Sequence, residues 1–202
     1  MKIRRQYLLR GTPSLLLPLG AGFVMASSAD IRAALGMGGA VLVTMLLSSI
    51  VISAIRRIIP TRAKIPAYLL IITGFVTLIH MLMDAYVPGV VEMLHVHVAA
   101  LAVSAVPYRD AEEIADHNGE GKTIAISLFT GLFFALIMVI CALIREPLGN
   151  ATLWGQPIEF LANYKISALA GAFGGYIILA FVLAAIRKLG EKITVVTEKE
   201  EN

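Results

Sequence analysis

Val51-Ile52-Ser53-Ala54-Ile55-Arg56-Arg57-Ile58-Ile59-Pro60-Thr61-Arg62-Ala63-Lys64-Ile65-Pro66 decides the fold. An apolar run that opens near Leu35 stops at a pair of arginines. A proline and two more basic residues follow, and a second apolar run goes from Pro66 to Val87 without a break. Runs of about 20 apolar residues are what an α-helix needs to cross the hydrocarbon of a bilayer. The basic knot between them is the kind of loop that resists translocation.

Working outward from this knot, the chain divides into six spans: Thr12–Ser28, Leu35–Ile55, Pro66–Val87, Pro88–Pro107, Thr123–Ile144 and Ile166–Ile186. With the N-terminus inside, Lys2, Arg4, Arg5, Arg10, Arg56, Arg57, Arg62, Lys64, Arg109, Lys122, Arg187, Lys188, Lys192 and Lys199 fall inside. Of the 17 basic residues only Arg32, Arg145 and Lys165 fall outside. Adding or removing one crossing largely removes this asymmetry, so the charges fix orientation as well as membrane location, with both termini on the cytoplasmic side. Helices are expected throughout, because a spanning run must satisfy its own backbone hydrogen bonds and no period-2 barrel strands occur.

Composition agrees. The 202 residues are 58% hydrophobic and 15% charged, with a mean hydropathy of +0.81, far from soluble norms. The net charge of +3 sits at helix ends, as anionic inner-leaflet lipids favour. It makes no basic stripe with interleaved aromatics, so nucleic acid is excluded as a partner. The basic start and first apolar run resemble a signal peptide, but no convincing cleavage motif follows. The expected organisation is one integral membrane domain over 1–202: a three-span half at 1–87, an inverted second half at 88–186 and a cytoplasmic tail at 187–202, partly frayed.

Spans one and four are interrupted. Pro13, Pro18, Gly20 and Gly22 lie in the first. The fourth carries Glu92, His95 and His97 in its outer half, and only Val98–Val106 is free of strongly polar groups. Val51-Ile52-Ser53-Ala54 before Arg56 resembles Val139-Ile140-Cys141-Ala142 before Arg145, each closing the second span of a half. With three spans per half, a second copy must be inverted, which puts the two broken spans at corresponding positions. Paired broken helices in inverted repeats point to a midplane site; the bland alternative is that Pro and Gly serve packing.

The candidate ion pathway is Asp84, Glu92, His95 and His97. Asp84, near the outer end of span three, could bind a cation or simply reach water. His95 and His97 diverge on a helix and converge only on an extended chain. A metal site would need that conformation plus Glu92 or Asp84; proton entry and plain interfacial polarity are the other readings. His80 reads as a cross-helix hydrogen bonder. Arg109, Asp110, Glu112 and Glu113 read as a solvated, salt-bridged cytoplasmic face, docking to a peripheral partner being the alternative. Gly36, Gly38, Gly39, Gly171, Gly174 and Gly175 read as close helix packing, since no strand–turn–helix context supports a dinucleotide fingerprint. Cys141, the only cysteine, reads as a small core residue. No catalytic acid, base or nucleophile is identified, and no metal ligand set is assigned.

Several stretches resemble the Rnf/Nqr membrane subunits: Ile65-Pro66 … Ile71-Ile72 … Met81-Leu82-Met83-Asp84-Ala85-Tyr86, the outer-loop run Arg145-Glu146-x-Leu148-Gly149-Asn150-x-Thr152-Leu153, and Leu35-Gly36-Met37-Gly38. The nearest type is the E subunit of the Rnf complex, equivalent to the D subunit of the sodium-translocating NADH:quinone reductase. The resemblance implies an all-α fold of six transmembrane helices in two inverted three-helix repeats, assembled with a sister six-helix subunit of opposite topology and with flavin or iron–sulfur subunits. It also implies a cysteine on each broken helix, the two pairs holding an iron–sulfur cluster that carries electrons while sodium or protons move. Here both slots differ. The family's Leu-Gly-x-Cys-Pro corresponds to Leu19-Gly20-Ala21-Gly22-Phe23. Its Thr-Asn-Cys before Arg-Ala-Glu corresponds to Val103-Ser104-Ala105 before Asp110-Ala111-Glu112. Gly22 and Ala105 offer no thiolate, so this chain is not expected to hold the 2Fe-2S cluster in the family manner. In the Asp84 slot the family usually has Asn.

Three functions follow as expectations. The first is a divergent, non-catalytic subunit of a redox-driven ion translocase. The second is a small inverted-repeat transporter of an ion or solute with no redox role. The third is a structural membrane scaffold.

Overall fold

The computed structural model describes residues 29–94, 96–112, 120–159 and 167–200. The first expected span with its Gly22 slot, His95 and Glu113 lie outside the described residues. The described chain is helical apart from its loops and one two-stranded hairpin. Helix α1 is Ile31–Ile55 and α2 is Lys64–Tyr86, entered through a single tight turn at Thr61–Ala63. Four short pieces follow: α3 (Pro88–Leu94), α4 (Val96–Ala100), a tight turn at Leu101–Val103, and α5 (Ala105–Asp110). Helix α6 is Glu120–Arg145; a wide turn at Glu146–Asn150 leads to β1 (Thr152–Leu153) and β2 (Gln156–Pro157). The chain closes with α7 (Ser167–Ala170) and α8 (Ala172–Glu200). Among the described residues, the segments long and apolar enough to cross a membrane are Ile31–Ile55, Thr61–Tyr86 and Gly121–Asn150.

The packing is inside-out relative to a soluble protein. Leu70, Met81, Leu132, Phe173 and Phe181 stand exposed on the helices. Thr44, Ser48, Ser49 and Ser53 of α1 and Thr123, Ser127 and Thr130 of α6 are buried. Lipid is as apolar as leucine, so exposed aliphatic faces carry no penalty there, and small or hydroxyl-bearing residues serve helix contact. The core is the antiparallel pair α1 and α6. Ala34, Met37, Val41, Met45, Ser48 and Ile52 recur along the buried stripe of α1 at helical spacing. A Cβ on Gly38 would lie 2.9 Å from Ala135 Cβ, and one on Gly131 would lie 3.1 Å from Leu42 Cα. Glycine at these two positions lets the backbones approach. The packing role expected of Gly39 is not found, since a Cβ there meets nothing within 4 Å.

Two expectations for the last span change. It is not continuous: the helix breaks at Gly171, and its unbroken apolar stretch, Phe173–Ile186, is too short to count with the three long segments. The cause is steric. A Cβ on Gly174 would overlap Leu169 Cα, so α8 folds tightly back on α7. The charged tail expected to fray continues as helix to Glu200.

Candidate functional site

The region 88–110 is the irregular part of the described chain. Val87 N–H donates to Met83 C=O (2.7 Å) and closes α2; Pro88 starts α3 at once. Proline has no N–H to leave unsatisfied at a first helical position. The decisive interruption is at Ser104, whose backbone is extended (φ −70°, ψ 141°). Its N–H donates to Leu101 C=O (3.1 Å), and its hydroxyl accepts from Val106 N–H (3.2 Å). That is an N-cap, and it starts α5 as a separate half-helix. Ala105, which the resemblance sets in the second cysteine slot, is the first residue of α5.

The last residue of α5, Asp110, lies just beyond the expected fourth span. Its expected place on a solvated face is overturned: it is only 2% exposed. The reason is packing of α5 against α1 and α2, which carries the carboxylate in among hydroxyls. Ser49 Oγ donates to Asp110 Oδ2 at 2.5 Å. Thr44 and Ser48 turn their hydroxyls back to their own helix, on Ala40 C=O (2.7 Å) and Thr44 C=O (2.6 Å). Asp110 Oδ1 and Ser127 Oγ, both buried, make no well-aligned hydrogen bond, although the Ser127 hydroxyl is near enough to act on the carboxylate. Burial pushes the carboxyl up to about 6, against smaller downward pulls from Ser49 and Ser127. Nearby, burial and then the charge and hydrogen bond of Glu112 raise the Tyr108 phenol.

At the opposite end of the α1–α6 pair is a second polar assembly. Glu146 is fully buried. Its Oε2 accepts from Ile31 N–H (2.9 Å), the first residue of α1, and its Oε1 from Gly155 N–H (2.8 Å). Arg145 turns the other way, donating to Leu169 (3.1 Å), Ala170 (2.7 Å) and Gly171 (3.2 Å) C=O, the end of α7. A carboxylate at a helix start and a guanidinium at a helix end both match the helix dipole. Trp154 and Gly155 form the hairpin turn with φ of 58° and 75°, the doubly left-handed turn that suits strand twist. Arg32 donates to Trp154 C=O (2.6 Å), and Asn150 Nδ2 to Ala29 C=O (3.2 Å). This buckle ties α1, α6 and α7 together at one end.

Of the ion-pathway candidates, His95 lies outside the described residues. Asp84, Glu92 and His97 are each exposed, and His97 Nδ1 lies 2.9 Å from Leu94 C=O of its own segment. Among the described residues no group of three or more His, Cys, Asp and Glu is placed to hold a metal ion. Cys141 is buried on α6. Sequence reasoning missed Asp110. The signal was present in the hydroxyls at Thr44, Ser48 and Ser49 on span two and at Thr123, Ser127 and Thr130 on span five. Polar stripes at helical spacing inside apolar runs mark interior faces.

A family model described as "Rnf-Nqr subunit, membrane protein" matches residues 1–187. The E subunit of the Na(+)-translocating ferredoxin:NAD(+) oxidoreductase complex of Acetobacterium woodii is 30% identical over 186 residues, which cover 92% of this chain and 95% of that one. The E subunit of the ion-translocating oxidoreductase complex of Aliivibrio fischeri is 30% identical over 142 residues, covering 70% of this chain and 63% of its own. The corresponding protein of Shewanella amazonensis is 27% identical over 166 residues, covering 82% and 72%.

Proposed function

The chain belongs to the Rnf-Nqr family of membrane subunits, and we propose that it serves as a divergent E-type subunit of an Rnf-like, ion-translocating electron transport complex. The observation that carries this is end-to-end similarity to the Acetobacterium woodii E subunit, covering 95% of that protein. The full chain would cross a prokaryotic inner membrane six times, in two inverted halves, with both termini cytoplasmic. The α1–α6 pairing supports inversion. The register that sets Val51-Ile52-Ser53-Ala54 on Val139-Ile140-Cys141-Ala142 also sets Val43 on Gly131, and Gly131 packs against Leu42, the neighbour of that position. An antiparallel pair related by a two-fold axis should touch near its own equivalent positions. Partners would be a sister six-helix subunit of opposite topology and flavin or iron–sulfur subunits.

Glycine at position 22 and alanine at position 105 do not fit a thiolate-held cluster, so no electron step is assigned to this chain. Its contribution is structural and gating, through the interruption at Ser104. A second reading, a small inverted-repeat transporter, is favoured by one observation: a buried carboxylate and hydroxyls stand beside the interruption. Mass spectrometry of the proteins that copurify from native membranes in mild detergent separates the two. Recovery with a sister six-helix subunit and flavin or iron–sulfur subunits supports the complex. Recovery alone, or with only a cysteine-free sister, refutes it and favours transport.

A further inference from the structure

We propose that Asp110 is a reversible proton-binding site whose protonation seats the half-helix α5 against α1 and α6. The geometry that carries this is a carboxyl only 2% exposed, set among the hydroxyls of two helices. Asp110 Oδ1 and Ser127 Oγ, both buried, make no well-aligned hydrogen bond, while Oδ2 already accepts from Ser49. A carboxylate can only accept. When it takes a proton on Oδ1 it becomes a donor, and the Ser127 oxygen is the acceptor on the facing helix. The Ser127 hydroxyl can equally donate to the ionised Oδ1, so what the proton changes is the charge: it removes one from a site only 2% exposed, where an ionised carboxylate is costly.

Among the described residues, the charged and titratable groups on the surrounding elements are Arg56 and Arg57 beyond α1, Lys64 and Tyr68 of α2, Glu120 and Lys122 of α6, and Tyr108, Arg109 and Glu112 on the same segment. None sets the protonation of Asp110, which is governed by burial and then by the Ser49 and Ser127 hydroxyls. Among the described residues, the ionised form would therefore have no countercharge in the groove. It is relieved by taking up a proton or by withdrawing α5 toward water, where Glu112, two residues on, is already exposed. The chemistry is a plain acid–base equilibrium: the O–H bond forms with a proton from water at that end of the helix pair and breaks to return it. The inference does not depend on which complex the chain serves.

The test is pH-difference infrared spectroscopy on the full-length protein, purified with whatever subunits accompany it. A protonated-carboxyl band should grow as pH falls, with a midpoint near 6, and be absent in Asp110→Asn. In Ser49→Ala, which keeps the carboxyl but removes a hydrogen bond favouring its ionised form, the midpoint should move up. That shift carries the test if Asp110→Asn does not fold. A wild-type spectrum lacking any band that responds to these variants overturns the proposal. So does a midpoint in the ordinary carboxylate range. Loss of the band on adding Na+ at constant pH also overturns it, because the ligand is then a metal cation rather than a proton.

Discussion

Replacing Glu146 by alanine should destabilise the protein by about 3 kcal/mol. The wild-type carboxylate accepts from Ile31 N–H and Gly155 N–H. Ile31 is buried, and as the first residue of α1 it has no intrahelical acceptor. A buried donor left unsatisfied costs about 1–3 kcal/mol, and loss of a negative charge at a helix start adds about 0.5 kcal/mol. Gly155 is on an exposed turn, so water can replace Glu146 there at little cost. Asp30 provides the internal comparison. It caps the same helix by accepting from Arg32 N–H (2.8 Å), and Asp30→Ala should cost about 1 kcal/mol. Glu146→Gln keeps one acceptor oxygen and should fall between.

The assay uses the chain's only cysteine. Cys141 is 1% exposed, so its labelling by a thiol-reactive fluorophore reports opening of the α1–α6 pair. Stability follows from the labelled fraction along an SDS titration in mixed micelles. If Glu146→Ala loses no more than Asp30→Ala, the buckle is not what holds α1 in place, and the reading of Arg145-Glu146 as a structural clasp is wrong.

Stability should fall as pH rises from about 4 to about 6. The Asp110 carboxyl is raised from 3.8 to about 6 in the fold, so the native state holds more protons than the unfolded one in that window. The loss amounts to about 3 kcal/mol, and the same labelling titration in Asp110→Asn should lose this slope. Gly174→Ala should cost about 2 kcal/mol or more, because its Cβ would collide with Leu169 Cα. Gly39→Ala, with nothing near its Cβ, should be neutral or stabilising by up to about 1 kcal/mol; midpoints of the same titration compare them.

The long helices were legible because their ends are written in local chemistry. Arg56-Arg57 stops α1 and Pro60 prevents its resumption, so the expected end at Ile55 matches the structure. The start was read four residues late, at Leu35 instead of Ile31, because Asp30 and Glu146 cap that end. The second of these is distant in sequence, so no local pattern announces it. The break at Gly171 was missed for a similar reason: the contact that requires it, Gly174 on Leu169, is local in sequence but three-dimensional in cause. Asp110 was misread because Asp, Glu and Arg neighbours make a pattern that usually faces water. What overrode that pattern is α5 packing on α1, a tertiary contact set by the interruption six residues earlier.

That interruption is held by its own residues. Ser104 supplies an extended backbone, an N–H bonded to Leu101 and a hydroxyl that caps Val106, so the half-helix begins where a serine can satisfy its first free amide. Alanine at position 105 follows without needing to ligate anything. The break thus needs no cysteine at position 105, and it keeps Asp110 aimed at Ser49. Ser104→Ala tests this directly. The substitution should cost about 1 kcal/mol through loss of the cap, and hydrogen exchange at the Val106 amide should accelerate, while exchange in the middle of α6 should not change. Unchanged exchange at Val106 would mean that tertiary packing, not the serine, starts α5, and the local account of the break would fail.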